Sequence, residues 1–337
     1  MDPAFSAFRW TVQPGAYRWR TPQVVGPEQR SEERALWAGE THTGQTQPLR
    51  QYHPLVDQTG LFLLFAATPL TQEGILGFVD RFGMLLNATV TVTPPAQVRT
   101  PRQRRLRETL AVHSEGLEFW LQEVIKMREA VRVWRLLEQG DADGLARHIR
   151  RSGRGKQLSL VYDSHPDLAE GAQPEPPDLR LTEVIVSPGE QPELLARLAA
   201  GDVVLPARML LQRFINRQFD GRLQPAVAPD ADSGELQMTL MPANLLTAMW
   251  LQLARAVCEH KQYKECSVCG EPFELSPETA RTNRRFCSIA CKNRAFRNRQ
   301  EQARRLHAEG KTAEQIAEQI EADTAVVEGW IRGPGQR

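Results

Sequence analysis

Apolar residues recur along much of the chain at intervals of three and four positions, the period of a helix with one buried face. The longest such stripe lies between Ser114 and Glu138 and contains leucine, valine, methionine and tryptophan. Thr71 and Asp141 precede two further stripes, at positions where helix N-caps are expected. The pattern therefore predicts a helix after Thr71 and helices over 114–138, 141–149, 192–200, 206–219 and 243–260.

Strand patterns are shorter and fewer. Residues 180–186 favour a strand, and residues 222–228 and 235–241 flank the turn-rich stretch Pro229 to Gly234, which predicts a β-hairpin. Residues 61–67 suit either a buried strand or a short helix, and the first 50 residues show no sustained period beyond a short strand or two. The fold class predicted is α+β, with a mostly helical body. The predicted domains are an irregular N-terminal segment (1–50), the body (51–260), a cysteine-rich module (261–300) and a C-terminal tail (301–334).

Length and composition support a globular protein. The chain has 337 residues, of which 41% are hydrophobic, enough for about two domain cores. The longest apolar run, Gly60 to Ala67, is shorter than the roughly 18 residues that span a membrane. The N-terminal residues lack a basic stretch followed by an apolar one, so we expect a cytoplasmic protein with no membrane partner.

The charge is unevenly distributed although the whole chain carries a formal net charge of only +1. The window from Arg281 to Arg305 contains nine cations and a single acid, Glu301, a net charge of +8, whereas the remaining residues carry −7. A concentrated basic patch attracts polyanions, which predicts a nucleic acid as partner.

Four of the five cysteines overlap this basic window, in two closely spaced pairs. Cys266 and Cys269 are separated by two residues, as in a zinc knuckle, and Cys287 and Cys291 have the spacing of one helical face. Cysteines clustered in this way indicate metal ligands more than disulfides. We predict a treble-clef zinc finger, with a hairpin between 271 and 285 and a helix that begins at Cys287. Four thiolates leave no open coordination position, so one structural Zn²⁺ per chain is expected.

The second cysteine pair resembles known zinc fingers. Phe286-Cys287-Ser288 followed by Cys291 is similar to FCS-type treble clefs, and Cys291-Lys292-Asn293-Arg294 is similar to the CGNR zinc finger of ABATE-CGNR-type bacterial proteins, with Lys292 where that family has glycine. The resemblance implies a mixed helical domain ahead of a C-terminal finger. It also implies a DNA-binding transcription regulator.

The helix predicted after the cysteines places Arg294, Arg297, Arg304 and Arg305 within an arc of about 100°, opposite its apolar residues. Arginine pairs with phosphate oxygens and with guanine edges, so this face is predicted to contact double-stranded DNA. RNA is an alternative, as is a solvated basic face with no ligand. The candidate nucleic-acid contacts are Arg281, Arg284, Arg285, Lys292, Asn293, Arg294, Arg297, Arg299, Arg304 and Arg305.

The tail after Gly310 predicts two short helices, one capped by Thr312 and the next by Asp323 or Thr324. Together with the preceding helix they resemble a helix-turn-helix of the resolvase or Hin type. The last of these helices offers only Arg332 as a cation, so the tail is either a weak DNA contact or a homodimer interface.

Catalysis is not predicted. Treble-clef nucleases need histidines beside the finger, and no histidine lies between Lys261 and Leu306. The chain also has no GxSxG motif and no phosphate-binding loop. The main rival to nucleic-acid binding is a protein-interaction adaptor, in which the zinc module is a rigid element and the tail dimerises.

Overall fold

The computed structural model describes residues 8–12, 14–20, 35–38, 50–86, 115–152, 159–168, 180–186, 201–229, 233–275 and 284–332. The chain divides into two compact units, Met1–Lys261 and Gln262–Arg337. The described secondary structure is a mixture of helices and small antiparallel sheets, which agrees with the α+β class predicted.

Seven helices lie in the described part of the first unit: α1 (Pro54–Asp57), α2 (Leu61–Ala66), α3 (Gln72–Phe82), α4 (Leu117–Gln139), α5 (Ala142–His148), α6 (Val204–Phe219) and α7 (Leu245–Cys258). The predicted caps are present, because Thr71 and Asp141 accept the backbone N–H groups of Gly74 (3.0 Å) and Gly144 (2.8 Å). Residues 61–67 form a helix and not a strand. The helix predicted over 192–200 lies outside the described residues.

The strands that the structure describes in the first unit form four small sheets. They are β1 (Trp10–Val12), β2 (Tyr17–Arg20), β3 (Ala35–Ala38), β4 (Arg50–Tyr52), β5 (Glu115–Gly116), β6 (Ile149–Ser152), β7 (Ser159–Asp163), β8 (Thr182–Val186), β9 (Leu223–Pro229) and β10 (Leu236–Pro242). The sheets are β1-β4, β2-β3-β5, β6-β7-β8 and the predicted hairpin β9-β10, all with antiparallel pairing.

The helical core is built around α4, which packs against α2 and α6, while α7 packs against the same two helices. Phe62 and Phe65 of α2, Trp120 of α4 and Trp250 of α7 are fully buried there. Gln252 joins distant segments, since its amide donates to the carbonyl oxygen of Pro54 (2.8 Å) and accepts from the N–H of Phe62 (3.2 Å). The apolar stripes of the sequence are therefore core faces.

A buried carboxylate lies at the end of β7. Asp163 has no exposed surface, and its oxygens accept from the guanidinium of Arg180 (Nε to Oδ1, 2.9 Å), from Arg150 (3.1 Å) and from the backbone N–H of His165 (3.1 Å). The hydrogen bonds from Arg180 lower the pKa of Asp163 most, so the carboxylate is held in its charged form. This ion pair joins the segment that leads into β8 to the end of the neighbouring strand β7.

The second unit contains the hairpin β11 (Gln262–Glu265) and β12 (Pro272–Leu275), followed by α8 (Ile289–Ala308), α9 (Ala313–Gln319) and α10 (Thr324–Arg332). The last three helices share a small core of six buried side chains, namely Ala303, Leu306, Ile316, Ala317, Val327 and Trp330. Among the helices that the structure describes in either unit, none combines the length and apolar composition that crossing a membrane requires.

Candidate metal centre and basic helix

The first cysteine pair occupies the turn of the β11-β12 hairpin. Cys266 follows β11 directly, its N–H donates to the carbonyl oxygen of Glu271 (2.9 Å), and its own carbonyl accepts the N–H of Gly270 (2.8 Å). Gly270 has a φ of +73°, a conformation that glycine adopts without strain and that closes this tight turn. The first cysteine pair therefore lies between the two strands of the hairpin. Most of the hairpin predicted between 271 and 285 lies outside the described residues; the part that is described, Pro272–Leu275, pairs with Gln262–Glu265.

The second pair lies at the start of α8. Ser288 is the N-cap, with an extended backbone and a hydroxyl that accepts the N–H of Cys291 at 3.2 Å. Cys291 is therefore inside the first turn, whereas Cys287 precedes the cap. The prediction that the helix begins at Cys287 was wrong by two residues, because a serine side chain competes for the first free N–H groups.

The four sulfur atoms lie together. All the thiol Sγ atoms of Cys266, Cys269, Cys287 and Cys291 are within 4.8 Å of one another, and Cys287 Sγ lies 3.5 Å from the Sγ atoms of both Cys269 and Cys291. A disulfide needs about 2.05 Å between sulfurs. A tetrahedral Zn²⁺ with bonds of about 2.3 Å holds its sulfur ligands about 3.8 Å apart. The observed cluster has the size of a tetrathiolate zinc site, so the ligand donors fit this ion.

The thiols differ in acidity. Burial alone would raise the pKa of Cys266, but the backbone N–H groups of Cys269, Cys287 and Val268 lower it to about 6. Burial, together with the neighbouring sulfurs of Cys291 and Cys269, raises the pKa of Cys287 to about 12. Backbone N–H groups therefore favour the thiolate form of Cys266, whereas burial disfavours the thiolate form of Cys287.

Arg284 supports this cluster and was not predicted to do so. Its guanidinium donates to the carbonyl oxygens of Phe286 (2.9 Å) and Cys287, and it lies 4.9 Å from the ring centroid of Phe273. Ser267 adds a second tie, because its N–H (3.1 Å) and its hydroxyl (2.9 Å) both donate to the carbonyl oxygen of Arg285. Arg284 thus fixes the chain between the two cysteine pairs, whereas the sequence indicated only a cation.

The remaining predicted contacts on the first half of α8 face outward. Lys292, Asn293, Arg294 and Arg297 are exposed and Arg299 is half-buried, whereas the inward positions of α8 are Cys291, Ala303 and Leu306. Within the described residues, none of the four cations forms an ion pair. The arginines of the predicted arc that lie in the first half of α8, Arg294 and Arg297, are therefore exposed and have no acidic partner among the described residues.

The two predicted arginines near the end of α8 are exposed but engaged. Arg304 donates through Nε to the carbonyl oxygen of Trp330 (3.0 Å), and Arg305 lies 3.7 Å from a carboxylate oxygen of Glu309. Arg285 is exposed beside the cysteine cluster, and Arg281 lies outside the described residues. Apart from Arg284, which is engaged at the cysteine cluster, the described candidate contacts divide into a group without ion pairs near that cluster and an engaged group near the tail.

A cleft of about 260 Å³ lies between the cysteine turn and the middle of α8. Its lining consists of Ser267, Val268, Arg285, Phe286, Ala295, Asn298 and Arg299. Asn298 is exposed and was not among the predicted contacts, although it lies one turn after Arg294 on the same helix. Asn298 has no charge, so the pattern of cations in the sequence does not indicate it as a contact.

Comparison with protein-family models, curated protein sequences and solved structures returned no match to this chain.

Proposed function

We propose that this protein is a zinc-dependent DNA-binding regulator that contacts duplex DNA through the exposed face of α8. The proposal rests on the observation that a single helix, α8, combines two features. Its first turn contributes a ligand to a four-thiol cluster, and its exposed side presents Lys292, Arg294 and Arg297 without ion pairs among the described residues.

Zn²⁺ is the metal we assign to the cluster, as a structural ion. Four cysteine sulfurs complete a tetrahedron and leave no position for a catalytic water. A turn with two cysteines followed by two more at the start of a helix is also how a treble clef is arranged, and Cys291-Lys292-Asn293-Arg294 resembles the CGNR finger of bacterial regulators. Tetrathiolate zinc carries about −2. Some of the surrounding arginine charge therefore neutralises the metal centre, and the rest is available to a ligand.

The dimensions of α8 suit the major groove. Its 20 residues give a helix about 30 Å long, and a helix with side chains is about 10 to 12 Å wide, close to the roughly 12 Å width of the major groove. Arg294 and Arg297 are one turn apart on the outward side. They can reach successive phosphates or the O6 and N7 atoms of guanine. The α8-α10 core has the size of a helix-turn-helix unit, which we infer steadies the end of this helix.

A salt titration tests the proposal. If the four free cations Lys292, Arg294, Arg297 and Arg299 each neutralise a phosphate, the logarithm of the binding constant falls with the logarithm of salt with a slope of about −3.6. Affinity for a duplex should then fall about 150-fold between roughly 50 and 200 mM salt. Fluorescence anisotropy of a labelled duplex measures both quantities.

A double variant and its matched control locate the interaction. Arg294→Ala with Arg297→Ala should reduce the slope by about 2 and leave one zinc per chain. Arg135→Ala with Arg147→Ala removes the same charge from exposed helix positions of the first unit and should change neither quantity. If both double variants bind duplex DNA like the unmodified protein, α8 is not the contact. A flat salt dependence would favour the adaptor, and tighter binding to double-stranded RNA than to DNA would favour the RNA alternative.

A further inference from the structure

The β9-β10 hairpin of the first unit has one face that is wholly apolar. The register pairs Leu236 with Pro229, Met238 with Val227 and Leu240 with Pro225. Because side chains alternate along a strand, these six residues point to the same side of the hairpin. The opposite side contains the pairs Gln237 with Ala228, Thr239 with Ala226 and Met241 with Gln224.

The apolar face is the exposed one. Leu236 and Met238 expose 75% and 78% of their surface, Val227 exposes 66% and Leu240 exposes 42%. On the other side Thr239 is buried, and Ala226, Ala228, Gln237 and Met241 are half-buried. The usual arrangement of a surface hairpin, with apolar side chains inward, is reversed. Such a continuous apolar patch marks an interaction site more often than chance exposure.

No charge interrupts this surface. Neither Leu223–Pro229 nor Leu236–Pro242 contains an acidic or basic residue, in a chain that is 25% charged. Exposed strands in monomers normally carry charges that prevent association. A face without charge also offers nothing to a phosphate backbone or to an acidic peptide. It matches the apolar, charge-poor centre of homodimer interfaces.

Pro225 and Pro229 restrict how a partner can approach. Proline has no N–H to donate, so two prolines in β9 make its outer edge a poor template for another strand. Contact through the face needs no backbone donors. A partner is therefore expected to stack on the hairpin, about 10 Å away, as sheets do in a sandwich.

We propose that a second copy of this chain packs on the apolar face of the β9-β10 hairpin, so that the two hairpins stack across a two-fold axis. The face is about 24 Å long, and its side chains stand upright on the two strands. The large exposed fractions of Leu236, Met238, Val227 and Leu240, together with the two prolines, amount to roughly 500 Å² per copy, so two copies bury on the order of 1,000 Å² in total, at the lower limit of a specific interface. In a two-fold interface the same surface of each copy contacts its counterpart, so this surface must be complementary to itself. An uncharged apolar face meets this requirement.

The test measures the mass of the full-length protein by sedimentation across concentrations from about 0.1 to 50 µM. The unmodified protein should approach twice the chain mass of 38.1 kDa. Met238→Glu should raise the dissociation constant of the dimer at least about 100-fold, because an unpaired charge enters the interface twice. Val227→Glu should act in the same direction.

Two variants serve as controls. Gln224→Glu adds the same charge to an exposed position on the other side of the hairpin and should leave the dimer intact. Val326→Glu alters an exposed apolar residue of α10 and tests the tail instead. Unchanged zinc content and thermal unfolding midpoint show that Met238→Glu is folded. The proposal is overturned if the unmodified protein stays monomeric at 50 µM or so, if folded Met238→Glu dimerises normally, or if only Val326→Glu breaks the dimer.

Discussion

Cys291→Ser is the substitution that most directly probes the metal centre. Cys291 is a buried ligand candidate in the first turn of α8, and serine keeps the size of the side chain while removing the sulfur. The unmodified protein should contain one zinc per chain, and Cys291→Ser should contain far less after dialysis against a chelator. Cys258→Ser is the matched control, since Cys258 is exposed at the end of α7 and outside the cluster.

The proposed zinc site implies that the module around the cysteines depends on the metal for its order. Among the described residues the buried members of this cluster are Cys266, Phe273 and Cys291, and Phe273 is the one among them that is not a candidate ligand. Burying a phenylalanine contributes about 1.5 to 3 kcal/mol, whereas a structural zinc contributes about 10 to 16 kcal/mol. If the cluster holds zinc as proposed, metal binding is expected to be the main contribution to the order of β11, β12 and the first turn of α8.

Hydrogen exchange with mass spectrometry provides the assay. In Cys291→Ser, or after chelation, amides of 262–275 and of the first turns of α8 should exchange as in an unfolded chain. Amides of α4 should keep their protection, and the helices around Trp330 should keep part of theirs because they have their own core. Persistent protection of 262–275 without metal would show that the hairpin folds alone and would refute this reasoning.

Two further predictions concern the first unit. Gly74→Ala should lower the free energy of unfolding by about 1 to 3 kcal/mol, because the new Cβ would lie 2.5 Å from the carbonyl oxygen of Pro69. Gly77→Ala in the same helix meets nothing within 4 Å and should raise the free energy of unfolding by about 0.5 to 1 kcal/mol. Urea unfolding of both variants checks these opposite signs. Asp163→Asn should cost about 3 to 5 kcal/mol by leaving buried Arg180 without its carboxylate. Because the pKa of Asp163 is lower in the folded than in the unfolded state, the charged carboxylate stabilises the fold above about pH 4, and this stabilisation is lost as pH falls through the pKa of the folded state. Asp163→Asn should therefore lose less stability below about pH 4 than the unmodified protein.

The features that could be predicted from the sequence depend on residues that lie close together in the chain. Thr71 and Asp141 were identifiable as caps because their partners lie three residues away. The cysteines that cluster in the structure were identifiable because each pair has a characteristic spacing, and the outward position of Arg294 and Arg297 followed from helical period alone. Local geometry determines these outcomes, so residues distant in the chain could not change them.

The features that the sequence did not predict depend on long-range contacts. Asp163 and Arg180 are 17 positions apart, and nothing in either segment marks them as a buried pair. Arg284 was one of many arginines until its contacts with the carbonyls of Phe286 and Cys287 distinguished it. The alternation of β10 would bury Leu236 and Met238, yet the structure exposes them, because the side of the hairpin with Thr239 faces inward.

The way α8 is held bears on how tightly it could bind. Its first turn is attached to the cysteine cluster through Cys291, and its last turns are packed against α9 and α10 through Leu306, with Arg304 bonded to the carbonyl of Trp330. A helix fixed at both ends loses little backbone freedom on binding, so more of the phosphate attraction remains as affinity. The cations without ion pairs, however, lie on the part of the helix nearest the cysteine cluster. Loosening the tail should therefore weaken DNA binding only modestly, whereas loss of zinc should abolish it.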